Sequence, residues 1–179
     1  MTMSPGLRKA ALAAHLTVSV GWIGTVVAYL ALGVAATTSR DVQTVRGAWI
    51  AMELTGWYVI LPLAIASLIS GLVMALGTRW GLFRHYWVLF SFVLTLLAAV
   101  VLALHMPTVS TMADIARDAE GATLYDLGGD LLHPGIGLLV LLVIQVLNVY
   151  KPRGMTRYGR RKQTMQKAES VSVEMQRTG

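Results

Sequence analysis

Five ionisable side chains stand within or at the edges of otherwise apolar stretches: His15, Glu53, His85, His105 and His133. An ionisable group at membrane depth costs a few kcal/mol on insertion scales, so each is a candidate functional residue. Neutral imidazole is the commonest protein ligand of transition metals and also holds haem iron, and helix-bundle cores are where such sites are built. His105 and His133, one toward the end of an apolar stretch and one at the start of the next, could form a bis-histidine pair for haem iron or a metal ion. Met52, Met106 and Met112 are near them and add thioethers suited to Cu(I). Glu53 could relay protons, orient a histidine or act as a counter-charge. The bland alternative is that Glu53 and the two histidines satisfy one another with no cofactor.

The elements that must position these groups follow from composition. Of 179 residues, 55% are apolar and 13% charged, about half the charged share usual for a soluble domain. With a mean hydropathy of +0.62, this argues for a membrane protein. The absence of cysteine excludes a disulfide scaffold, thiolate zinc sites, iron–sulfur clusters and a cysteine nucleophile. Four stretches, residues 10–36, 49–76, 86–106 and 131–150, are apolar and free of Lys and Arg. Each is long enough for a helix across a hydrocarbon core about 30 Å thick. The expected fold is all-α, a transmembrane four-helix bundle. The first stretch exceeds a secretory h-region and carries His15, Trp22 and Tyr29, so it reads as a retained helix.

Charge placement orients the bundle. Four spans put both termini on one side, together with Arg8, Lys9, Arg79, Arg84 and the basic residues between Lys151 and Arg177. The other side holds Arg40, Arg46 and Arg117. By the positive-inside rule both termini are cytoplasmic. The net charge of +6 then reflects a basic tail, residues 151–179, resting on anionic headgroups, and nucleic-acid binding is not needed to explain it. That tail, with its Arg160-Arg161-Lys162 cluster, is expected to lack regular structure. Residues 107–130 read as an acidic outer loop carrying Asp114, Asp118, Glu120, Asp126 and Asp130. Within it, Thr111-Met-Ala-Asp114 suggests a capping box opening a short surface helix through Ala119. The chain carries no internal repeat, P-loop, dinucleotide fingerprint or nucleophile elbow.

Helical phase sorts the candidates. His85 and His105 fall about 200° apart on a straight helix. Trp87, Ser91, Leu94 and Ala98 cluster on the His105 side, which makes His105 the interior residue and leaves His85 at headgroup level. His15, Ser19, Trp22, Val26, Tyr29 and Gly33 form a stripe on the first helix. Glu53, Trp57, Ile60, Ala64, Ser67 and Gly71 form another on the second, where Pro62 predicts a kink. His133-Pro134-Gly135 opens the fourth helix, with Pro in the first turn where its missing N–H costs least.

The segment Ala14-His15-Leu-Thr-Val-Ser-Val-Gly-Trp22-Ile-Gly24, or His-x6-Trp-x-Gly, resembles the opening helix of the superfamily that groups copper-resistance protein D with HemJ-type protoporphyrinogen oxidases. Ser70-Gly71-Leu72, Trp80-Gly-Leu and Trp87 extend the likeness. The closing Val149-Tyr150-Lys151-Pro152-Arg153-Gly154 is similar to an uncharacterised four-helix bacterial integral membrane family of that superfamily. The resemblance implies a b-type haem ligand at His15. It also implies a lysine early in the third helix for protoporphyrinogen oxidation, where this chain reads Phe83-Arg84-His85-Tyr86-Trp87. The resulting expectation is a membrane haem protein for electron transfer or oxidoreduction of a small or lipophilic substrate. His15, His105 and His133 are its cofactor ligands and Glu53 the proton or orienting group. Copper handling through His105 and His133 and a cofactor-free accessory or transport subunit are the alternatives. A redox partner and a homo-oligomer are compatible with each.

Overall fold

The structure, a computed structural model, describes residues 3–78, 81–118, 122–152 and 154–178. Arg79, Trp80, Ala119, Glu120 and Arg153, which enter the sequence reading, lie outside them. The described residues form helices α1 (Pro5–Thr38), α2 (Val42–Thr55), α3 (Leu61–Gly77), α4 (Tyr86–Asp118), α5 (Ala122–Asp126), α6 (Leu132–Tyr150) and α7 (Arg157–Thr178). No β-strand occurs among them; a single bridge pairs His85 with Met155.

Four units are long and apolar enough to cross a membrane: α1, the continuous Val42–Gly77 segment, α4 and α6. Each packs beside its sequence neighbour and α6 closes the ring against α1, the arrangement short connections favour in an antiparallel bundle. Large apolar side chains such as Leu104 (74% exposed), Leu132 and Leu139 point outward, which suits hydrocarbon as the surrounding solvent.

The bundle has two distinct faces. Met3 donates its backbone N–H to Gly77 O at 3.1 Å, and Thr156 N to Arg84 O at 3.1 Å. The N-terminus, the α3–α4 connection and the tail therefore meet on one face, labelled inner after the orientation expected from charge. The α1–α2 turn and the segment from α5 to α6 make the outer face. Toward the outer face the interior is solid, with Val45, Met52, Met106, Val109 and Leu124 all fully buried.

Three elements differ from the sequence reading. The second span carries a wide turn just before Pro62. Gly56–Ile60 forms a π-turn joining α2 to α3 without a break, and Pro62, which has no N–H to donate, follows directly after it. This wider turn keeps Met52, Gly56, Ile60 and Ala64, spaced four apart, buried on one side. It leaves Trp57 turned outward, its indole N–H donating to Ser110 Oγ at 2.9 Å. Second, the helix expected to end at Met106 runs through Pro107 to Asp118. Met106, Val109, Ala113 and Ala116 continue a buried stripe at helical spacing, and packing against α2 compensates for the hydrogen bond that Pro removes. Thr111 therefore caps no new helix; its hydroxyl donates back to Pro107 O at 3.0 Å. Third, the tail is helical: Thr156 Oγ1 accepts from Gly159 N–H at 3.0 Å and caps α7.

Candidate functional site

The expected histidines fall into two places, one toward each face. At the outer end, His105 on α4 and His133 in the first turn of α6 come together, as their shared depth suggested. Their rings stack with centroids 3.8 Å apart and planes 22° apart. Asp130 contacts a nitrogen of each ring. His105 Nε2 lies 2.7 Å from Asp130 Oδ2, and His133 Nδ1 lies 3.4 Å from Oδ1. Tyr29 on α1 donates its hydroxyl to the same Oδ2 at 3.2 Å. His105 and Asp130 are largely buried, whereas the His133 side chain is 50% exposed.

Local geometry explains how Asp130 reaches this position. The backbone O of Asp130 sits where a Cβ on Gly33 would be 2.7 Å away, and a Cβ on Gly129 would overlap Gly33 O and Thr37 Oγ1 at 2.2 Å. Two glycines thus let the segment before α6 lie directly on α1. Gly128, with φ +59°, turns the chain, and Trp49 Nε1 donates to its carbonyl at 3.2 Å.

Glu53 does not join this cluster. It pairs with Arg117, which also pairs with Asp114. Of the roles open to Glu53, this contact is that of counter-charge, joining the second span to the extended end of α4. Met52 and Met106 are packed inside the core, with the Met106 thioether against the bare face of Gly56.

The two outer imidazoles are already in contact face to face, so no porphyrin plane fits between them in this arrangement. The three side chains nonetheless offer ligand atoms that all lie within 4.8 Å of one another.

His15 occupies the other place. The inner half of the bundle is hollow: a cavity of about 670 Å³ opens among α1, α3, α4 and α6, inside the range of roughly 300–1,000 Å³ typical of small-molecule sites. Trp22 and Trp87 give it aromatic walls, and Arg8, Lys9 and Lys151 stand at its inner-face end. His15 Nδ1 lies 2.9 Å from Ser70 Oγ. That hydroxyl also lies 3.2 Å from Ser67 O. When it donates its single hydrogen there, it accepts from His15 Nδ1–H and leaves the lone pair on Nε2, the atom a metal would take. Gly71 makes room for the ring: a Cβ there would lie 3.2 Å from His15 Cε1. Ser19 and Ser67 hydroxyls pair at 2.9 Å deeper along the same wall. Ser91, also on the cavity, is 93% buried by its 7% exposure, and its hydroxyl has no hydrogen-bond partner among the described residues.

His85 lies at the inner face, part-buried beside Met155 of the tail, its partner in the isolated bridge, with its ring centroid 6.5 Å from that of Trp87. It reaches neither histidine place.

Sequence reasoning missed Asp130 as a site residue and treated it as one acid of an outer loop. The signal present was its spacing of three from His133, which puts both on one side of the first helical turn. No family model, curated protein or solved structure matches the chain.

Proposed function

We propose that this is a multi-pass protein of the bacterial cytoplasmic membrane, with both termini cytoplasmic, that holds b-type haem in the inner cavity through His15. It serves electron transfer or the oxidoreduction of a small or lipophilic substrate. The excess of basic residues on the inner face supports the orientation. The observation that carries the haem assignment is His15 itself. Ser70 engages its Nδ1 edge, and it lines a cavity large enough for a flat amphipathic cofactor.

The donor set fits that group. An imidazole is a standard axial ligand, Trp22 and Trp87 suit a planar apolar ring, and Arg8, Lys9 and Lys151 suit its carboxylates at the rim. The unpartnered Ser91 hydroxyl supplies one more polar contact. Bound haem supplies a one-electron couple; the chain's own residues orient His15, hold the carboxylates and exclude water from the apolar end. The likeness of His15-x6-Trp22-x-Gly24 to the haem-binding branch points the same way.

Optical spectra of the purified protein, oxidised and then reduced, test the reading. A Soret band lost in His15→Ala and retained in His133→Gln is the expected result. No Soret absorption after expression with added haem overturns it. A second reading, a cofactor-free accessory or transport subunit, is favoured by the internal pairing of the Ser19, Ser67 and Ser70 hydroxyls, and it predicts no spectrum and no effect of His15→Ala.

A further inference from the structure

We infer that His105, Asp130 and His133 form a binding site for a first-row divalent transition-metal ion at the outer end of the bundle, separate from the inner cavity. Two imidazoles and one carboxylate come together from α4, the turn before α6 and α6 itself, with one ligand atom from each within 4.8 Å of the others. Metal–ligand bonds of about 2.0–2.2 Å place tetrahedral ligand atoms about 3.4 Å apart. The His133–Asp130 separation is already 3.4 Å; to take an ion, the His105–Asp130 separation of 2.7 Å must open and the two stacked rings must turn so that their in-plane lone pairs converge.

The surroundings are those of a built site. Tyr29 holds the carboxylate from α1, the kind of outer contact that orients ligating groups. Gly33, Gly129 and Trp49 fix the backbone beneath it. His133 is half exposed, which gives an ion a path from the outer side and leaves a coordination position for water.

Donor chemistry narrows the ion. Calcium and magnesium take oxygen ligands, and Cu(I) takes thioether sulfur. Here the donors are two nitrogens and one oxygen, while the neighbouring Met52 and Met106 are spent in the core. That combination suits Zn²⁺ and its first-row neighbours. The ion would tie α4 to α6 and, through Asp130 and Tyr29, to α1.

The test uses full-length, untagged protein in detergent, stripped with chelator and dialysed against Zn²⁺, with Mg²⁺ in parallel. One Zn²⁺ retained per chain, with a raised unfolding temperature, is expected; Mg²⁺ gives neither. His133→Gln and Asp130→Asn should each weaken retention by about a hundredfold or more, and Tyr29→Phe by about tenfold. His15→Ala should leave it unchanged. Circular dichroism and gel filtration establish that each variant keeps its helices. Because His133 is half exposed, its variant is the one least able to disturb folding. Zn²⁺ retention that is absent from the parent protein, or that His133→Gln and Asp130→Asn leave unaltered, overturns the assignment.

Discussion

Ser70 decides which nitrogen of His15 is available. If its hydroxyl fixes the Nδ1–H form, Ser70→Ala should leave haem binding detectable but about 10–100-fold weaker, read by titrating the apoprotein with haem and following the Soret band. The legibility of single residues was uneven for a physical reason. His105 and His133 were readable because helical rise sets their depth, and depth alone brought them together. Glu53 was readable as a costly charge, but its partner Arg117 was not, because that arginine becomes a neighbour only if α4 continues past Pro107. Asp130 was hidden because its place depends on two distant glycines, Gly33 and Gly129, accepting backbone contact. Gly33→Ala sets a methyl 2.7 Å from Asp130 O and should cost about 1–3 kcal/mol as overpacking does, visible as a lower unfolding temperature and a displaced outer cluster.

At the level of elements, the four spans were legible because twenty apolar residues without Lys or Arg have few other uses. Their ends were not. Whether α4 stops at a proline is decided by whether the next two turns find something to pack on, and Val109, Ala113 and Ala116 do. The π-turn was equally hidden, since Gly56–Ile60 carries no sequence mark beyond a glycine. Deleting one residue within it should restore an ordinary α-turn and keep α3 in phase with α2, because the wide turn absorbs that one extra residue. Ser67 and Ser70 would stay on the cavity wall and haem binding should persist, whereas deleting one residue in the α-helical turn after Pro62 should rotate the rest of α3 by about 100° and abolish haem binding while helix content is kept. The start of α2 offers a pH test. Thr44, through its hydroxyl and backbone N–H, holds the Asp41 carboxylate below its ordinary value. A carboxyl depressed in the folded state adds stability above its unfolded pKa and loses it as pH falls through the lower, folded value. Asp41→Asn, which keeps the cap but cannot titrate, should therefore flatten the small acid-limb decline in unfolding temperature below about pH 4.

For the whole molecule, orientation is directly measurable because the chain has no cysteine. Single substitutions Thr123→Cys, on the outer face, and Met165→Cys, on the tail and 59% exposed, should react with an impermeant maleimide from opposite sides of the membrane. Thr123→Cys should label in intact cells and Met165→Cys only after lysis; the reverse pattern would invert the topology. The fold class was legible in composition alone, whereas the unequal filling of the bundle was not, since no hydropathy pattern distinguishes a cavity wall from a packed stripe. That inequality has a mechanical consequence. One half of the bundle is close-packed and nearly incompressible, and the other has an open cavity along the same axis. Lateral squeezing by the surrounding lipid must then be absorbed by a single leaflet's worth of protein. Stiffer acyl chains in the leaflet beside His15 should narrow the hollow and change what it can hold, while the same change in the opposite leaflet passes unnoticed.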